Sequence, residues 1–318
     1  MDYLGMSFTL GCLCREAILF IKVGERKESR IKALKLFTPQ SIQETTRLLA
    51  DFGPEATMLA GGTDLLPQVN RFLLKPKVLI SIRNISELND IREADGGLMI
   101  GPLVTHSSLA NSPAVKAKAG SLAEAAARVG SPLIRNLGTI GGNLCWASPA
   151  ADTGPPLLTL GAAVIWRQGG REQKKDLADF FIGPNRTCLP PGALVTGIWV
   201  PPLPPEMKTI FLKLGLRNGA AISVVSVAAG LVLENRMVRR VRLAFGSVAP
   251  VPFLASQAEK FLSGKPLETE TIAAAADLAA AEASPVSDVR ASSWYRREMT
   301  RVYARRALAA LSAGNGTH

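Results

Sequence analysis

The sequence predicts an α+β chain: a two-piece N-terminal block, made of a small β-α-β unit and a larger α/β unit, followed by a C-terminal domain of a three-stranded antiparallel sheet with helices. Three observations predict it. Short apolar runs at 35–37, 57–60 and 78–82 bracket a stretch with one-sided apolar spacing, which is the mark of strand–helix–strand order. Two Gly-Gly turns, Gly61-Gly62 and Gly141-Gly142, stand about 80 residues apart with matching hydroxyl and Asp or Asn neighbours. After residue 208, three long runs rich in β-branched and apolar residues are separated by short polar turns, as in an antiparallel sheet.

These patterns divide the chain into an extension at 1–32, a block at 33–205 with pieces at about 33–85 and 86–205, and a domain at 208–312. The extension does not share the patterning of residues 33–312. Its mildly apolar stretch 10–23 is broken by Arg15 and Glu16, so it is too short and too charged to span a bilayer. It also lacks the basic start and clean cleavage site of a secretory signal. The expectation is a cytoplasmic protein with no membrane span.

Residues 35–37 read as a strand, with Thr38 as cap and Pro39 as first position of a helix. Ile42, Leu48, Leu49 and Phe52 lie mostly on one side of that helix, and Gly53-Pro54 ends it. Residues 56–60 form the strand before the first Gly-Gly turn. The continuous apolar run 78–82 then completes the β-α-β unit as a buried strand. In the second piece, 98–101 is a strand, a helix begins near Ser107 or Ser108, and the Ala-rich 122–129 is another helix. The second Gly-Gly turn leads to a strand at 162–166 and a hairpin-like Gln168-Gly169-Gly170-Arg171. A short helix at 177–181, a strand at 194–200 and a Pro-rich linker at 201–205 come next.

The last domain has strands at 211–216, 223–233 and 238–245, with Glu234-Asn235-Arg236 turning between the latter two. Helices near 255–262 and 269–283 precede a terminal helix at about 293–311. On that helix Arg297, Arg301 and Arg305 recur every four residues as one charged stripe. The stripe is either a solvated face or a docking face for a partner.

Composition narrows the function. The 318 residues are 47% hydrophobic and 20% charged, a globular balance with length for two or three compact units. The net charge of +11 comes from basic residues scattered singly, and only 6% of residues are aromatic. No stacking platform interleaves with the charge, so nucleic-acid binding is not expected. The four cysteines, Cys12, Cys14, Cys145 and Cys188, contain no C-x2-C pair, and the two histidines, His106 and His318, have no carboxylate placed beside them by sequence. Metal sites and histidine-based catalysis therefore have little material here.

The Gly-Gly turns carry the chemistry. Neither is a dinucleotide G-x-G-x-x-G or a P-loop, and no Lys follows the glycines. Adjacent glycines nonetheless let backbone N–H groups approach a ligand closely. The first turn, from Leu59 and Ala60 through Gly61, Gly62, Thr63 and Asp64 to Leu65, offers consecutive amides and a hydroxyl. Gly138, Thr139, Gly142 and Asn143 are expected to do the same from the opposite side. Two such turns predict one binding site built from two loops.

AGGTDLL at 60–66 and TIGGNLCWASPAADTGPPLLTLGA at 139–162 resemble the two FAD-binding loops of the flavoprotein subunit of molybdenum hydroxylases, the family of xanthine dehydrogenase, carbon monoxide dehydrogenase (medium subunit) and 4-hydroxybenzoyl-CoA reductase (β subunit). The resemblance continues through FLKLGLRNGAAISVVSVAAGL at 211–231 and SDVRASSWYRREMTRVYARRAL at 287–308, covering roughly residues 33–311 in order. It implies FAD, with its pyrophosphate in the two loops and Asp152 on a ribose or ribityl hydroxyl, since a carboxylate repels phosphate. It implies that Leu194 or Val195, and Lys213, lie close to the isoalloxazine, where a lysine favours the anionic reduced ring. Ala220 stands where xanthine dehydrogenases carry an Asp beside the flavin.

The implied activity is electron relay in an oxidoreductase complex. A molybdopterin-binding large subunit would oxidise the substrate, and [2Fe–2S] clusters of a small subunit would pass electrons to FAD here and on to NAD or another acceptor. GGNLC runs straight into WASPAAD, without the Cys-rich insertion of the 4-hydroxybenzoyl-CoA reductase branch, which favours the xanthine or carbon monoxide dehydrogenase type. Two alternatives are a flavin-free scaffold or assembly protein of the same fold and a free-standing FAD-dependent oxidoreductase. The scaffold predicts damaged Gly turns, and the free-standing enzyme needs a larger substrate-cap domain.

Overall fold

The computed structural model describes residues 16–19, 34–314, 316 and 317. Most of the 1–32 extension, Cys12, Cys14 and His318 lie outside the described residues.

The first unit is a four-stranded sheet in the order β1-β2-β4-β3. It comprises strand β1 (Glu16–Leu19), β2 (Leu34–Phe37), helix α1 (Ile42–Phe52), β3 (Ala56–Leu59), helix α2 (Leu65–Asn70) and β4 (Val78–Ser81). β2, β4 and β3 are parallel, as a β-α-β unit requires, and β1 adds an antiparallel edge outside the expected three. α1 starts later than Thr38-Pro39 suggested. Ser41 caps it, accepting from Glu44 N at 3.1 Å, while Gln40 N donates back to Glu44 Oε2 at 2.8 Å. This reciprocal pairing closes two open donors at once, which a Thr38 cap without an acid three residues on does not match. Ile42 and Leu49 are buried against Phe37, Val78 and Ile80.

The second unit begins with the hairpin β5 (Ile91–Ala94) and β6 (Gly97–Ile100). Six short helices come next: α3 (His106–Asn111), α4 (Pro113–Lys118), α5 (Gly120–Ala127), α6 (Pro132–Leu137), α7 (Ile140–Trp146) and α8 (Gly154–Thr159). Thr105, Ser112, Ser131 and Thr139 cap four of them, each accepting the N–H three residues on. The second Gly-Gly pair is therefore the first turn of helix α7, not an irregular loop. Strands β7 (Ala163–Gln168), β8 (Arg171–Asp176), β9 (Phe181–Gly183), β10 (Arg186–Thr187) and β11 (Leu194–Val200) complete the unit. Its main sheet runs β5-β6-β11-β7-β8, antiparallel throughout. The expected helix at 177–181 is a single 3-10 turn, Leu177–Asp179, leading into β9. Five residues are too few to offset helix nucleation, whereas Phe181 gains a strand partner in Thr187.

The third unit holds β12 (Lys208–Gly215), β13 (Ser223–Glu234), β14 (Met237–Gly246) and β15 (Phe253–Leu254), then helices α9 (Ser256–Leu262), α10 (Thr269–Glu282) and α11 (Ser293–Ser312). The antiparallel meander has four strands rather than three, because β15 returns to pair with Ala244 and Phe245. Residues 223–232 of β13 are buried on both faces, which is why the run is apolar without alternation. α11 covers one face, and α8 of the second unit packs on the same strand. Alanines 275, 276, 279 and 280 of α10 are buried, and their small side chains let α10 pack closely on α11 and α9. The arginine stripe is only partly free. Arg301 bonds Asp277 at 2.6 Å and Glu298 at 2.5 Å, while Arg297 and Arg305 are exposed.

Candidate functional site

Both Gly-Gly segments face one cavity of about 310 Å³, lying between the first and second units. Their contact is direct. A Cβ added to Gly61 would lie 2.0 Å from Leu137 O, and one added to Gly138 would lie 3.4 Å from Thr63 Oγ1. Glycine is required where the two backbones meet.

The first segment is the turn from β3 into α2. Gly62 has φ +76°, a left-handed conformation that redirects the chain, and Leu66 N bonds back to Gly62 O at 3.0 Å. Among the described residues, the amides of Gly61, Gly62, Thr63, Asp64 and Leu65 have no protein acceptor. Successive open amides around a left-handed turn form an anion-binding concavity. Partial desolvation pushes the Asp64 carboxyl above its ordinary value.

The second segment is built differently. Thr139 Oγ1 accepts Gly142 N at 3.1 Å, and Thr139 O accepts Asn143 N at 2.9 Å. Ile140 N bonds Val104 O at 3.0 Å, and Gly141 N bonds Pro102 O at 2.9 Å. Of the amides expected to serve phosphate on this side, those of Gly138, Gly142 and Asn143 are already used within the fold, while that of Thr139 has no protein acceptor among the described residues. Beyond Thr139 N, what remains is side-chain chemistry. Asn143 Oδ1 accepts from Thr153 Oγ1 at 2.6 Å, which leaves its amide nitrogen, a donor without a protein acceptor among the described residues, for a ligand.

Of the residues expected at the site, Ala60, Gly61, Gly62, Thr63, Asp64, Leu65, Gly138, Thr139, Gly142, Asn143, Leu194 and Val195 line this cavity. Leu59, Asp152 and Lys213 do not. Leu59 is the last residue of β3, and its carbonyl accepts from Ile82 N. Asp152 and Lys213 form a buried ion pair with Nζ 2.6 Å from Oδ2 and side chains 6% and 8% exposed. Ser223 Oγ donates to the other carboxylate oxygen, and Lys213 Nζ also reaches Arg128 O at 2.9 Å. Burial pushes the Asp152 carboxyl up, against the opposing pull of Lys213 and Ser223.

Gly141 and His106 are among the cavity residues that sequence reasoning passed over. Gly141 packs where an added Cβ would meet Pro102 Cβ at 2.4 Å. His106 starts α3 with 2% exposure. The Thr105 cap three residues before Ser108 was the available signal for its placement; nothing local indicated that the ring turns inward.

Residues 31–203 match the family model described as the FAD binding domain in molybdopterin dehydrogenase, and residues 211–311 match the CO dehydrogenase flavoprotein C-terminal domain. The chain belongs to the FAD-binding subunit family of the molybdenum hydroxylases. It is 33% identical over 263 residues to the glyceraldehyde dehydrogenase medium chain of Sulfolobus acidocaldarius, covering 83% of this chain and 92% of the relative. To the carbon monoxide dehydrogenase medium chain of Hydrogenophaga pseudoflava it is 33% identical over 275 residues, covering 85% and 94%. Among solved structures, a chain of quinoline 2-oxidoreductase from Pseudomonas putida 86 superposes with TM-score 0.83 at 31% identity, covering 88% of this chain and 97% of that one. As a member of this family the chain is a flavoprotein subunit of an oxidoreductase, and FAD is its cofactor. The open amides of the first turn fit the diphosphate of that group. Among the described residues no helix is long and apolar enough to cross a membrane.

Proposed function

We propose that this subunit relays electrons within a xanthine or carbon monoxide dehydrogenase type complex, receiving them from the [2Fe–2S] clusters of a small subunit and passing them to NAD or another acceptor. A molybdopterin-binding large subunit carries the substrate chemistry. The arrangement of two glycine segments around one cavity, with five unpartnered amides on one of them, supports this reading most directly.

FAD, when bound, supplies one-electron exchange on one side and two-electron exchange on the other. The chain's part is binding and electrostatics. The amides of residues 61–65 hold the diphosphate, and Asn143 Nδ2 donates from the facing wall. Leu194 and Val195 exclude water near the ring. Lys213 uses two of its three protons on Asp152 and Arg128 O; since it does not line the cavity, its charge would act on the flavin through space, where a nearby cation favours the reduced state. Asp152, outside the cavity lining and bonded also to Ser223, fixes the direction of that ammonium.

Purification of the full chain with its partner subunits tests the reading. The expected result is visible flavin absorption that NADH or substrate bleaches, and iron–sulfur and molybdenum in the co-purifying subunits. A flavin-free chain, or a flavin-containing chain that purifies with no partner, overturns it.

A further inference from the structure

The wall facing the open amides has the main-chain donors of Gly138 and of 140–143 occupied, so beyond Thr139 N the donors it contributes are side chains. Beside Asn143, His106 has ring nitrogens left idle among the described residues. The Thr105 cap starts α3 at His106 and turns the imidazole into the seam between the two glycine segments. His106 N donates to Gly138 O at 3.0 Å. The position of a Gly138 Cβ lies 3.2 Å from His106 Cδ2 and 3.4 Å from Thr63 Oγ1, so ring, glycine and loop hydroxyl converge. Nδ1 is buried without a partner, and among the described residues Nε2 has none either. Buried polar side chains nearly always find a partner, and here the cavity is where one can come from.

We propose that His106 is a further ligand-contacting residue of this site, giving one imidazole N–H to a phosphate oxygen of the diphosphate held by the 61–65 amides. The inference rests on the FAD reading of the cavity.

The surroundings fit a neutral donor that responds to an arriving anion. Burial first, and then Arg135 of α6, hold the ring down to about 4. On the other elements packed against α3, Glu124 of α5 is turned to Phe211 N and Lys118 of α4 to Glu93, while Lys116 and Arg128 are exposed. Asp64 lines the cavity from the opposite loop, and the Cys145 thiol, pushed up to about 12 by burial, stays uncharged. A diphosphate placed beside the ring favours its protonated form and raises its titration midpoint.

The chain has only two histidines, His106 and His318, so ring-proton NMR of the full chain stripped of flavin reads His106 directly, with His318→Ala identifying the other signal. Saturating ADP, which carries the diphosphate without the flavin ring, is expected to move the His106 midpoint upward by about one pH unit or more, with FAD as the probe where ADP binds too weakly. His106→Gln is expected to weaken nucleotide binding about tenfold. If nucleotide binds while the His106 signal and midpoint stay unchanged, the inference fails and the FAD reading stands. If neither ADP nor FAD binds the unsubstituted chain, both fail.

Discussion

The two glycine pairs share a dipeptide and do opposite work. Gly61-Gly62 bends through a left-handed residue and leaves five amides open to the cavity; Gly141-Gly142 lies in a regular helical turn whose amides are all bonded to Val104, Pro102 and Thr139. The first pair provides donors, with Gly61 also letting its strand end sit against Leu137, whereas the second provides only thinness, letting α7 sit against Pro102. A repeated Gly-Gly therefore does not imply a repeated function. The surrounding hydrogen bonds decide which role each pair plays.

Substitutions at these positions separate the roles. Gly61→Ala and Gly141→Ala press a methyl against backbone, at 2.0 Å from Leu137 O and 2.7 Å from Pro102 O. Each is expected to cost about 3 kcal/mol in urea denaturation and to release flavin. Retained stability at position 61 would mean that the first segment does not touch Leu137, and at position 141 that α7 does not sit against Pro102.

The wall they share gives an effect of similar size through pH. His106 is held at about 4 against an ordinary 6.5, so the unfolded chain binds the extra proton between those values. Stability is therefore lowest below about pH 4, rises through the window 4 to 6.5 and is fully recovered above it, by about 3 kcal/mol from the size of the shift. His106→Gln should flatten that slope in denaturation curves measured across the window, and an unchanged slope would place the ring outside the buried seam.

Gly62→Ala forces a side chain into the left-handed region and should cost about 1–2 kcal/mol, together with weaker FAD binding as the amide row is displaced. Gly142→Ala is the sharpest probe because it is the mildest. Its methyl meets only Thr139 Oγ1 at 2.9 Å, and alanine favours a helix over glycine by about 1 kcal/mol, so the melting temperature should barely move. A drop in FAD affinity there reports ligand contact with the α7 backbone; an unchanged affinity leaves that wall to Thr139 N and the side chains.

Much of this was legible in the sequence because it is locally encoded. Long β-branched runs marked β12, β13 and β14, and the Ala-rich 269–282 marked α10, each within a few residues of its observed ends. β15 escaped because a two-residue strand has no period to detect. The helical state of Gly141-Gly142 escaped because two glycines in a first turn oppose helix propensity, and only the Thr139 spacing to Gly142 argued for it. The start of α1 depended on Glu44 closing back on Gln40, a pairing visible only when the residue three beyond the cap is weighed. Asp152 and Lys213, 61 residues apart, came from resemblance alone, since no local pattern joins distant charges.

That last pair has a consequence for how the polypeptide can be divided. The Pro-rich stretch at 201–205 separates the two matched family models and invites cutting there. Yet Lys213 and Ser223 from one side hold Asp152 on the other, Phe211 N donates to Glu124 at 2.9 Å, and Ala125, Phe211 and Ala228 form an apolar cluster across the join. Severed halves would each carry a charge cut off from its counterion and an apolar face newly opened to water. The cut site is a boundary of ancestry and not of autonomous folding, so the halves should recover their shape only when expressed together.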